Sequence, residues 1–97
     1  MSLQTDPITE HASLPGGGSV AVWVGVPDDS YIAASERTTV DLQLREGANV
    51  LATVTTVLDP GQDSEARQLA REVRAAIEAE RLPLTAAALE PFADRFR

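Results

Sequence analysis

TVDLQLREGANVLATVTTVL, residues 39–58, and ARQLAREVRAAI, residues 66–77, lie close together in the chain and obey different hydrophobic periods. In the first, Val40, Leu42 and Leu44 alternate with Thr39, Asp41, Gln43 and Arg45, the two-residue repeat of a strand with one buried face. In the second, Ala66, Leu69, Ala70, Val73, Ala76 and Ile77 form one stripe at helical spacing. The change of period predicts a sheet followed by a helix that covers it.

Working outward, Glu46-Gly47-Ala48 separates two strands, and the apolar pattern proposes their register. Pairing Leu44 with Val50, Leu42 with Ala52 and Val40 with Val54 collects the apolar partners on one face, and places Thr39 opposite Thr55 and Asp41 opposite Thr53. That register requires an odd-length loop around Gly47 in place of a two-residue turn. Upstream, Val20–Val26 reads as another strand, with four valines on one face and Ala21, Trp23 and Gly25 on the other. With both faces apolar, this strand is either central and covered twice, or its Trp23 face meets the N-terminal arm or another subunit. Pro27-Asp28-Asp29-Ser30 carries turn chemistry, and Tyr31–Glu36 reads as an irregular entry to the next strand.

Residues 1–19 read as a flexible N-terminal arm, with Gly16-Gly17-Gly18-Ser19 as a linker and Asp6-Pro7 able to open one helical turn. Residues 20–97 form a single α+β domain. Downstream, the helix should run from about Ser64 to about Arg81, capped by Asp63 or Ser64 and stopped by Pro83. A last element follows Thr85, with Leu89, Phe92, Ala93 and Phe96 on one face and Pro91 imposing a kink or a split into two short turns. The predicted fold is α+β: an antiparallel meander of three to four strands covered on one face by the long helix and a short C-terminal helical element. Its core face is Val20, Val22, Val24, Val40, Leu42, Leu44, Val50, Ala52 and Val54.

Composition limits function. The 97 residues carry 15 acids against eight basic residues, net −7, a charge that repels phosphate backbones and anionic membranes. Nucleic-acid binding is disfavoured, and no apolar run has the roughly 20 residues of a membrane span. With no cysteine there is no disulfide or thiolate site and no trace of the redox compartment. Met1–Asp6 lacks a basic n-region and an apolar h-region, so a cytoplasmic location is the default expectation.

Chemistry-bearing clusters are sparse. His11, beside Glu10 and near Ser13, shares the vocabulary of acyl transfer, but sequence neighbours do not make the required geometry and an exposed histidine is expected. The glycine run precedes a strand, whereas phosphate loops precede a helix. Asp28, Asp29 and Ser30 lack the further acids of a calcium loop. No catalytic residue, cofactor or metal site is assigned. One directional feature is a flank of the helix carrying Arg67, Arg71, Arg74, Glu78 and Arg81, which can bind an anion or pair within the chain.

The favoured reading is a small non-enzymatic protein–protein interaction module, a homodimer through the Trp23 face or a sheet edge or a binder of a protein partner, with Trp23, Arg67, Arg71 and Arg74 as candidate contacts. The alternative is an anionic-ligand-binding or enzymatic domain using a pocket between sheet and helix on the Arg71/Arg74 flank, with Arg71, Arg74 or Tyr31 as polar contacts. No small-molecule ligand is identified.

Overall fold

The structure, a computed structural model, describes residues 7–26, 39–59 and 61–95. Four strands, β1 (Ile8–Ser13), β2 (Ser19–Gly25), β3 (Asp41–Glu46) and β4 (Asn49–Thr55), form one antiparallel sheet in the order β1-β2-β3-β4. Two helices follow, α1 (Asp63–Glu78) and α2 (Ala86–Asp94). α1 lies across β1 and β2, and α2 packs against β4. This is the α+β meander with a long and a short helix that the hydrophobic periods predict.

The core is aliphatic. Val20, Val22 and Val24 of β2, Val40, Leu42 and Leu44 in and before β3, and Ala52 and Val54 of β4 are buried with Leu69, Val73 and Ile77 of α1 and Leu89 and Ala93 of α2. Each large aliphatic side chain contributes on the order of 1.5–3 kcal/mol by leaving water.

The sheet begins earlier than the sequence reading places it. Ile8–Ser13, assigned above to an arm, pairs with β2 from Ile8↔Val24 to Ser13↔Ser19, and Ile8 and Ala12 join the core. The glycine run is accordingly the turn of a hairpin and not a linker. Gly17 and Gly18 take φ of 91° and 80°, a region where a side chain is strained, and Leu14 N–H and C=O close the loop against Gly18 and Gly17.

The β3–β4 faces match the prediction except at Val50, and the register differs by two residues. Leu44 pairs with Ala52 and Leu42 with Val54, while Glu46 pairs with Asn49 across the two-residue turn Gly47-Ala48. Gly47, at φ 61°, occupies the first central position, where a type II′ hairpin turn demands positive φ. That turn alone would put the apolar residues of the two strands on opposite faces. A bulge restores agreement: Arg45 pairs with Val50 and Leu44 with Ala52, leaving Leu51 unopposed. Val50, predicted in the core, is turned out and 50% exposed.

Beyond β4 the chain is sewn to Val40. Thr56 N–H and Oγ1 both donate to the Val40 carbonyl, Leu58 N–H donates to Thr56 Oγ1, and Val40 N–H donates to Leu58 carbonyl. The buried hydroxyl thereby satisfies the backbone at a place where the regular ladder has ended.

α1 starts one residue before the predicted Ser64 and has Gln62 at its cap, which makes no side-chain capping bond. Gln62 instead accepts from Asp59 N–H, while Asp59 Oδ1 accepts from Gly61 N–H, so the preceding turn is closed from within. The helix stops at Glu78, short of Arg81, in a Schellman arrangement: Glu80 N–H donates to Ile77 and Arg81 N–H to Ala76, with Glu80 at φ 60°. α2 is one helix running through Pro91, capped by Thr85, whose hydroxyl accepts Ala88 N–H. It is not split, because Leu89 and Ala93 on either side of Pro91 share one buried face. The turn at 27–30, the entry at 31–36 and Phe96 lie outside the described residues.

Candidate interaction surface

Among the described residues the sheet ends in two edge strands, β1 and β4, and the two differ. In an antiparallel pair alternate residues direct their N–H and C=O toward the neighbour and the others direct them away. Thr56 N–H points to Val40, so Val54 and Ala52 also bond inward, and Thr53 and Thr55 direct their backbone groups outward from β4. The same alternation carried through β3 and β2 turns Thr9, His11 and Ser13 outward on β1.

The β1 edge is partly closed by α1. Ser13 N–H donates to Glu78 Oε2 at 3.1 Å. Glu10, on the core side of β1, accepts from Arg74 at 2.9 Å, and Arg74 also pairs with Glu78 at 3.5 Å. The hydrogen bond to Glu10, then the charge of Glu78, raise the Arg74 pKa above its ordinary value. Side chains of one helix thus bracket the edge strand at both of these positions.

The β4 edge has no such cover among the described residues. Its seven residues, Asn49-Val50-Leu51-Ala52-Thr53-Val54-Thr55, hold no charge, proline or glycine, and the devices that protect sheet edges are charge, proline, bulges and covering segments. Only the bulge at Leu51 is present. Among the described residues, Val50, Leu51 and Val57 are the exposed large hydrophobic ones, at 50, 40 and 40%, and all three lie on or just beyond this strand.

Of the predicted contacts, Trp23 lies on the sheet face opposite α1 but is only 8% exposed. The Arg45 guanidinium sits over its ring, 4.1 Å from the centroid, and is held there by Nε donation to Gln43 Oε1 at 2.7 Å. Arg67 and Arg71 are exposed on α1 and line a furrow of about 430 Å³ with Ser64, Gln68 and Glu72. All five residues belong to one helix, so the furrow has no second wall. Arg74 is drawn to Glu10 and Glu78 and does not join them.

Other chemistry stays dispersed. Glu10 and His11 project from opposite faces of β1, so the acid, imidazole and hydroxyl named above are not assembled. No group of three metal-ligating side chains occurs among the described residues. A cleft of about 410 Å³ between the β1–β2 turn and the α1–α2 connection is walled by Leu14, Pro15, Ile77, Leu82 and Leu84, with Glu80 and Arg81 as its charged members. No described helix is long and apolar enough to cross a membrane.

Sequence reasoning missed the β4 surface. It placed Val50 in the core and gave Leu51 no role, although the consecutive apolar residues Val50-Leu51-Ala52 interrupt the alternation and were the available sign of a bulge. No family model matches the chain, and neither a curated protein nor a solved structure matches it.

Proposed function

We propose that this chain is a small non-enzymatic protein–protein interaction module that binds by taking an extended partner segment along the edge of β4. The observation that carries the reading is the asymmetry of the two edges: Glu78 occupies an outward amide of β1, whereas β4 offers an uncharged run within which Val50 and Leu51 are exposed. Backbone hydrogen bonds along such an edge supply affinity, and alternate side chains supply selectivity. A dimer through the Trp23 face has less support, since Trp23 is only 8% exposed and carries the Arg45 guanidinium over its ring.

Selection of binders from random extended peptides tests this. Binders should slow hydrogen exchange at Thr53 and Thr55 and lose affinity with Thr53→Pro, which removes an outward N–H. Binders that leave those amides unchanged and map to α1 would overturn it.

A second reading, recognition of an anion by α1, is favoured by one observation. Arg67 and Arg71 are exposed, one turn apart and without an ion pair among the described residues. Titration with phosphate and citrate, read at the Arg67 and Arg71 side chains, separates it from the first.

A further inference from the structure

Resting on the edge-binding reading, we propose that the segment added at β4 is a heterologous strand with basic residues at both ends, and not a second copy of this chain. The charges around the edge carry the choice. β4 itself is neutral, but Glu46 stands beside its first residue across the hairpin turn and Asp59 lies four residues beyond its last, both exposed. Neither forms an ion pair among the described residues; Asp59 Oδ1 accepts only the Gly61 N–H. The edge is a neutral, β-branched track with an acid at each end.

A second copy meets this track badly. Antiparallel pairing of β4 with itself about Thr53 directs the Asn49 end of each copy toward the end of the other beyond Thr55, which brings Glu46 of one copy to the same end as Asp59 of the other, twice. Each copy also brings a net charge of −7, and like charges within about 8–10 Å repel at physiological salt. A strand of seven to nine residues with arginine or lysine at its two ends converts both contacts into attraction. Its central residues alternate: those sharing the face of Leu51, Thr53 and Val57 should be apolar or β-branched, to cover Leu51 and Val57.

The experiment uses the full chain, labelled for amide resonances, and three nine-residue peptides that share a valine–threonine centre and end in arginine, serine or glutamate. The arginine-ended peptide should perturb and protect Thr53 and Thr55 and bind about tenfold more tightly than the glutamate-ended one. Combining Glu46→Gln with Asp59→Asn, which keeps the acceptor for Gly61, should abolish the difference, as should about 0.5 M salt. Equal binding of the arginine and glutamate peptides at Thr53 and Thr55 would overturn the charge proposal and leave the edge reading standing. Concentration-dependent dimerisation dispersed by Thr53→Pro, or by Leu51→Lys should the proline variant fail to fold, would make a second copy the occupant and overturn it as well. A strict monomer in which no peptide perturbs Thr53 or Thr55 would overturn the edge reading itself.

Discussion

Ser13 donates its backbone N–H to Glu78 Oε2 at 3.1 Å, joining the edge strand to the last turn of α1 across 65 residues of sequence. An outward amide that could recruit a strand is thereby occupied by a side chain of the same molecule. Glu78→Ala should quicken hydrogen exchange at Ser13. Because both groups are exposed, the loss of stability should be no more than about 1 kcal/mol; unchanged exchange at Ser13 would show that the contact does not persist in solution.

The alternation of inward and outward amides on β4 makes adjacent residues respond differently to proline. Val54→Pro removes an N–H directed at β3 and should cost about 3 kcal/mol or more, whereas Thr53→Pro removes an outward one and should cost much less. Thermal melts of the two variants compare them directly. Equal losses would mean that the strand does not present the edge inferred from Thr56 and Val40.

Val73 is fully buried in the middle of α1, facing the sheet. Val73→Asp should abolish the cooperative melt, since an unpaired carboxylate there costs several kcal/mol beyond the lost apolar burial. Val73→Ala, a milder deletion, should cost about 1.5–3 kcal/mol in denaturant titration. A melt unchanged by Val73→Asp would place the helix elsewhere.

Glu80 holds φ 60° after α1, a conformation that an L-residue pays about 1–2 kcal/mol to adopt and glycine does not. Glu80→Gly should therefore stabilise by about 0.5–1 kcal/mol after the added freedom of the unfolded chain is allowed for. A lower melting temperature would indicate that the Glu80 side chain makes a compensating contact.

Trp23 is the single tryptophan, so its fluorescence reports the stacked guanidinium without interference. Arg45→Ala should increase quenching by acrylamide, shift emission to the red and cost about 0.5–1 kcal/mol. Emission indistinguishable from the parent would mean that Arg45 does not cover the ring.

What was legible in the sequence followed from local geometry. The strand alternation around Leu42 and Leu44, the valine face of β2 and the stripe from Ala66 to Ile77 are consequences of backbone repeats of two and 3.6 residues, which the order of apolar side chains records directly. β1 escaped because its alternation is broken by a charge: Glu10 stands between Ile8 and Ala12 on the core side, at its rim, where Arg74 reaches it from α1. The candidate site escaped for a related reason, since Val50 and Leu51 become a surface only when the turn at Gly47 and the core face of Ala52 and Val54 make conflicting demands that a bulge resolves.

The sequence by itself therefore determined an antiparallel sheet with an aliphatic face, covered by a helix that begins near Asp63 and cannot pass Pro83. Only the tertiary structure decided which residues oppose one another, that Ile8–Ser13 joins the sheet, that Arg74 serves Glu10, and which edge is closed. Hydrophobic period is a property of neighbours along the chain. Register, ion pairing and edge protection join residues such as Ser13 and Glu78, whose meeting is fixed by how the whole core packs and not by either segment alone.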